Sequence, residues 1–127
     1  MNTKMAISGK KILIVEDELD NLELLRTILR KYDPILLSAK TGEKAIETFK
    51  ENNDISLILL DIKLPGIFGL EVLKKVKEIN PNVVVIAQTA FAMHGDREKA
   101  IQAGCDEYIA KPFVASELLD KINMFEY

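Results

Sequence analysis

The sequence predicts an α/β fold of the doubly wound, flavodoxin-like kind, with five parallel strands and five helices packed on both faces of the sheet. Three observations predict it. Short apolar runs recur at 11–15 (KILIV), 35–39 (ILLSA), 55–60 (ISLILL), 83–87 (VVVIA) and, more weakly, 107–110 (EYIA). Their length and β-branched content suit strands, and their near-continuous apolar character calls for cover on both faces. Between them lie segments with apolar residues at helical spacing, and the strand–helix alternation runs five times without a linker, repeat or low-complexity tract. That alternation is the pattern of a parallel sheet wrapped on both sides.

The helices follow in order. Leu22, Leu25 and Leu29 share one face of 20–31, Ala45, Ile46 and Phe49 one face of 43–51, and Leu70, Leu73 and Val76 one face of 69–79. The segment 95–103 has the poorest pattern, with Ala100, Ile101 and Ala103 late in it, and a last helix fits 115–125. Asp20 or Thr41 is placed to cap a helix start. Pro81 stops the third helix, and Gly104 is placed to be the left-handed residue that ends the fourth.

Length and composition narrow the function. A chain of 127 residues suits one domain, 1–127, and at this size folding hides roughly two-thirds of the unfolded surface, so no staples are needed. Seventeen basic against twenty acidic residues give a net charge of −3, with no Lys/Arg cluster, which argues against a nucleic-acid surface. The only cysteine, Cys105, excludes an internal disulfide and a multi-cysteine metal site. No apolar run approaches the roughly 18 residues of a membrane span, and the opening MNTKMAISGK lacks the apolar core of a signal peptide. The expected location is the cytoplasm, or the cytoplasmic part of a larger protein, with no membrane contact by this domain.

In an open parallel sheet, chemistry gathers beyond the carboxyl ends of the strands. The first strand exits into Glu16-Asp17, the third into Asp61, the fourth into Gln88-Thr89-Ala90 and the fifth into Lys111-Pro112, an X-Pro bond that can be cis. Only the second, leading into Lys40-Thr41-Gly42, brings no obvious polar group. Taken singly, an acidic residue at a strand end is more often a helix cap or a solvated loop charge. Jointly, four strand exits deliver three carboxylates, a hydroxyl and an ammonium to one edge. Three carboxylates repel one another, and a hard divalent cation such as Mg²⁺ is the natural remedy. Lys111 then supplies a compact positive charge for a phosphate oxygen, Thr89 a neutral donor, and Asp61 a nucleophile able to form an aspartyl-phosphate. Phosphoryl transfer asks mainly for positioning and charge neutralisation, which this set supplies.

These residues resemble the receiver domain of bacterial two-component response regulators, of the chemotaxis-regulator-like kind, over about residues 10–125. The matching stretches are KILIVEDE (11–18), LILLDIKLPGIFGLEVL (57–73), VVVIAQTA (83–90) and AGCDEYIAKPF (103–113). The resemblance implies a sheet in order 2-1-3-4-5 and a Mg²⁺-dependent phosphorelay switch rather than an enzyme acting on other molecules. It implies that Asp61 accepts a phosphoryl group from a histidine kinase or histidine phosphotransfer domain. Asp17 and Asp61 would bind Mg²⁺ directly, Glu16 mostly through water, and the backbone carbonyl of Lys63 would complete the ligands. Lys111 would hold the phosphoryl group, Thr89 would move toward it, and Tyr108 would be the switch aromatic that turns inward. Downstream partners would read the face made by the fourth helix, fifth strand and fifth helix. Stand-alone regulator and receiver of a hybrid sensor kinase both remain open.

Departures from the commonest pattern are Glu16 in place of Asp, Gln88 before Thr89, and Lys63 and Phe91 at positions that tune phosphoryl lifetime. The alternative of a Mg²⁺-dependent aspartyl-nucleophile phosphatase is disfavoured by Lys63, where such enzymes carry a second aspartate. A nucleotide-binding module lacks both GxGxxG and GxxxxGK[ST]. His94 is read as a solvated helix-start residue rather than a phosphodonor, and Cys105 as a small packed residue.

Overall fold

A computed structural model describes residues 6–63, 69–89 and 95–127. The elements are β1 (Lys11–Val15), α1 (Leu19–Arg30), β2 (Ile35–Ala39), α2 (Gly42–Glu51), β3 (Ile55–Asp61), α3 (Gly69–Ile79), β4 (Val84–Thr89), α4 (Asp96–Gln102), β5 (Glu107–Ala110) and α5 (Ala115–Ile122). The five strands form one parallel sheet in the order β2-β1-β3-β4-β5. The expected fold class and strand order are therefore found.

Side chains of a strand alternate between faces, and this alternation divides the core in two. Leu13, Val15, Ile58, Leu60, Val85, Ala87 and Tyr108 join α2, α3 and α4 through residues such as Phe49, Leu73, Val76 and Ala100. Ile12, Ile14, Leu57, Leu59, Ile86 and Ile109 join α1 and α5 through Leu22, Leu25, Leu29, Leu118 and Ile122. Each fully buried Leu or Ile contributes about 1.5–3 kcal/mol by leaving water, so the three central strands anchor both layers. Continued one residue further, the same alternation directs Asp61, Gln88 and Lys111 to the α1/α5 face, and Thr89 to the other.

Several boundaries differ from expectation. β4 runs through Gln88 and Thr89 instead of stopping at 87, because Asp61 pairs with Gln88 and Thr89 with Ala110 across the neighbouring strands. Asp20 is not the cap of α1: the helix begins at Leu19, with Glu18 at its cap position and Asp20 in its first turn. Thr41 does cap α2, its hydroxyl accepting from Lys44 N–H at 3.1 Å. Gly104 is left-handed at φ +110°, as predicted. Ile101 faces outward at 45% exposure. α5 ends at Ile122, whose carbonyl accepts from the Tyr127 hydroxyl at 2.8 Å. β2 is an edge strand with an exposed start at Ile35, so it is not covered throughout. No helix among the described residues is long and apolar enough to cross a membrane. His94, Phe91 and Met93 lie outside the described residues, as do Leu64 to Phe68.

Candidate functional site

The ends of β1, β3 and β5 converge on one cluster, with the end of β4 between the last two. Backbone bonds fix each of them: Glu16 N–H donates to Ala39 O at 3.0 Å, Ile62 N–H to Gln88 O at 2.8 Å, and Lys111 N–H to Thr89 O at 2.8 Å. Side chains leaving these positions have their origins held by the sheet, which is how a site becomes preorganised.

Glu16, Asp17 and Asp61 each bring a carboxylate oxygen within 4.8 Å of the others. Glu16 is fully buried and Asp61 nearly so, whereas Asp17 is exposed. Both oxygens of Glu16 are engaged: Oε1 accepts from Lys111 Nζ at 2.7 Å and Oε2 from Glu18 N–H at 3.2 Å. Asp61 Oδ1 accepts from Lys63 N–H at 2.9 Å, and Oδ2 lies 3.4 Å from Lys111 Nζ. The lysine therefore crosses from β5 to β1 and is held by Glu16, touching Asp61 only loosely. The Lys111–Pro112 peptide is cis.

Three carboxylates against one ammonium leave two uncompensated negative charges. Burial pushes the Asp61 carboxyl up to about 6, with the Glu16 charge adding to the rise and Lys111 and the Lys63 N–H opposing it. Burial draws Lys111 down, but the Glu16 hydrogen bond and the Asp61 charge outweigh it and the ammonium is strengthened.

The Asp61 shift fixes the sign of a pH effect. A carboxyl whose folded value exceeds its ordinary value favours the fold when protonated, so its contribution is complete at about pH 4 and lost as pH rises through 6. With metal chelated, Asp61→Asn should be about 2 kcal/mol more stable than wild type at pH 7.5 and close to it at pH 4. Denaturant titrations at the two pH values check this; an equal difference at both would remove burial of the charge as the cause.

Thr89 is fully buried, and its hydroxyl has no hydrogen-bond partner among the described residues. Tyr108, also buried, pairs with Ala87 across the β4–β5 ladder. Lys63 is exposed, two residues beyond Asp61. The structure thus brings Glu16, Asp17, Asp61 and Lys111 together and sets Thr89 and Tyr108 on the opposite face of the adjoining strands. Cys105 is buried, and that burial, then Asp106 and Glu107, pushes its thiol up to about 11, which leaves it unreactive.

Sequence reasoning missed two features. Gln88, singled out only as a departure from the common pattern, is 1% exposed and lines one recess together with Lys111. Gly69 opens α3 against the end of β3, its N–H on Ile62 O at 3.0 Å. A side chain there would stand 2.5 Å from Ile62 Cα and 2.6 Å from Asp61 O. A glycine at the start of a strongly apolar helix, soon after a strand exit, was the available signal.

Comparison with known proteins agrees with the geometry. A family model described as the response regulator receiver domain matches residues 12–123. The polar-differentiation response regulator DivK of Brucella ovis is 36% identical over 118 residues, covering 91% of this chain and 95% of that protein. Hybrid signal transduction histidine kinase I of Dictyostelium discoideum is also 36% identical, over 90% of this chain, which spans 7% of that protein's length. Among solved structures, the receiver domain of a Pseudomonas aeruginosa sensor histidine kinase, with a magnesium ion coordinated in its active-site cleft, superposes with a TM-score of 0.81 at 32% identity, covering 92% of this chain and 97% of that one. A co-crystal of the Saccharomyces cerevisiae histidine phosphotransfer protein Ypd1 with the receiver domain of Ssk1 matches with a TM-score of 0.83 at 30% identity, covering 91% and 88%.

Proposed function

The chain belongs to the response regulator receiver domain family, a family of phosphorelay signalling domains, and on that premise we propose that Asp61 is its phosphoacceptor. The supporting observation is the span of Lys111 between Glu16 and Asp61 inside the acidic cluster. The donor is a histidine kinase or histidine phosphotransfer protein, a reading supported by the Ypd1–Ssk1 complex and the hybrid kinase relative. An Asp61 oxygen forms the new O–P bond while the donor's P–N bond breaks and the imidazole departs. On this reading the chain promotes only its own phosphorylation and dephosphorylation.

The donor set suits Mg²⁺: oxygen ligands only, with two uncompensated charges. Asp17 and Asp61 would hold the ion directly, with the Lys63 carbonyl. Glu16, both oxygens already occupied, would act through water. Bound there, the ion supplies neutralisation of the phosphoryl oxygens. Lys111 shifts from Glu16 toward the phosphoryl group, and Thr89 gains the acceptor its buried hydroxyl lacks. Reversing a 99:1 preference needs about 5.5 kcal/mol of differential stabilisation. Thr89 and Tyr108 supply it because their contacts change between states. The face made by α4, β5 and α5 then carries the signal to a downstream protein. The setting is the cytoplasm.

Acetyl phosphate and Mg²⁺ should give a phosphoryl adduct on wild type, read by intact mass, and none on Asp61→Ala. Equal labelling of both removes the assignment. Beryllofluoride should alter amide exchange within 84–89 and 107–112; unchanged exchange there would remove the switch path.

A further inference from the structure

Two successive residues at the end of β4 each bury a polar atom that has no hydrogen-bond partner among the described residues: the Gln88 carboxamide nitrogen and the Thr89 hydroxyl. Gln88 is 1% exposed and Thr89 fully buried, so solvent matches neither. We propose that Gln88 is a second latent donor to the phosphoryl-bearing Asp61, acting from the face of the sheet opposite to Thr89. The inference rests on Asp61 being the phosphoacceptor.

Register puts the donor beside its acceptor. Gln88 pairs with Asp61 across the β3–β4 ladder, and the two side chains leave the sheet on the same face. Neighbouring strands lie about 4.8 Å apart, and the bond from Ile62 N–H to Gln88 O at 2.8 Å fixes that spacing here. A carboxamide on a two-methylene stem crosses such a gap by side-chain rotation alone. Lys111 is what now lies over it. Ile109 is the partner of Gln88 on β5, and Lys111 follows two residues later on the same face. With β4 between β5 and β3, the lysine chain crosses above β4 to reach Glu16 at 2.7 Å and Asp61 at 3.4 Å. Gln88 and Lys111 accordingly line one recess.

Energetics give the direction. An unmatched buried donor is costly and is normally satisfied, so at rest the Gln88 amide opposes the fold. Phosphorylation adds negative charge and three strong acceptor oxygens at Asp61 and draws Lys111 away from Glu16. Acceptors then outnumber donors in the cluster, and the carboxamide N–H takes one of them. A donor matched in one state only favours that state, which is the role already given to Thr89 on the other face.

The test pairs calorimetric titration of the full chain with beryllofluoride and Mg²⁺ against denaturant titration in chelator. Gln88→Met keeps the length of the side chain and removes the donor. It should bind beryllofluoride about tenfold more weakly than wild type, the loss of one hydrogen bond to a charged acceptor. In chelator it should be at least as stable as wild type, because an unmatched buried amide is gone; a packing role would instead lower stability. Gln88→Leu should behave alike. A wild type that takes up no beryllofluoride removes the phosphoacceptor reading and this inference with it. A wild type that binds it while a folded Gln88 variant binds equally well removes this inference alone. So does a loss of stability in chelator by both variants, which would show the amide already matched at rest.

Discussion

Lys111→Met should cost the metal-free protein about 3 kcal/mol, the order found when one partner of a buried ion pair is removed. The reason lies less with Asp61 than with Glu16. Glu16 is fully buried, and its shortest side-chain contact is the 2.7 Å bond from Lys111 Nζ, against 3.4 Å for Asp61. Without the ammonium, Glu16 keeps, among the described residues, only the Glu18 N–H, and two buried carboxylates face each other without a cation. The Asp61 carboxyl, already pushed up to about 6, loses its main opposing charge and rises further, so the stability loss should grow between pH 5 and pH 8. Denaturant titration in the presence of a chelator measures the cost. Glu16→Gln placed on Lys111→Met should recover most of it, since a neutral amide tolerates the vacated site better than a carboxylate does. A loss under 1 kcal/mol, or no recovery, would show that the lysine's contacts carry no structural weight.

That pairing marks where the sequence stopped being informative. The apolar runs ending at Val15, Leu60 and Ala87 could be read because burial of a parallel sheet imposes them, and the strand exits placed the acidic residues and Lys111 on one edge. Which carboxylate the lysine would choose was not readable: a four-carbon stem reaches several acceptors, and the choice is set by the spacing of β1, β3 and β5. The extra length of β4 was hidden for a related reason. Gln88 and Thr89 look like loop residues by polarity, yet they stand in register with Asp61 and Ala110, and their carbonyls accept from Ile62 N–H and Lys111 N–H, which holds them in the sheet. The exposed start of β2 escaped notice because edge position is a property of strand order, not of the strand. Helix starts slipped by one residue both at Glu18, which offers no side-chain cap, and at Thr41, which does, and the end of the last helix fell three residues short, because apolar spacing marks the buried face of a helix rather than its last hydrogen bond.

Gly69 presents the same problem at closer range. Gly69→Ala should destabilise the protein by about 3 kcal/mol, the upper end for overpacking, and should slow labelling by acetyl phosphate about tenfold or more. The conformation of the glycine is not at issue, since it sits in the first turn of a regular helix. Space is. The added methyl would stand 2.5 Å from Ile62 Cα, 2.6 Å from Asp61 O and 2.7 Å from Ile62 O, all backbone atoms that cannot rotate away. Nor can the end of β3 retreat easily, because Ile62 N–H is bonded to Gln88 O at 2.8 Å. Either α3 lifts from the sheet or the Asp61–Ile62 backbone shifts. The second outcome moves the very carboxylate that the Lys63 N–H and Lys111 hold in place. Gly9 and Gly95 provide the contrast: both have positive φ, and among the described residues neither has any atom within 4 Å of an added Cβ. Alanine at either should cost only about 1 kcal/mol, the conformational term alone, and should leave labelling untouched. If all three alanine variants lose the same stability and label alike, close approach at the end of β3 is not what positions Asp61.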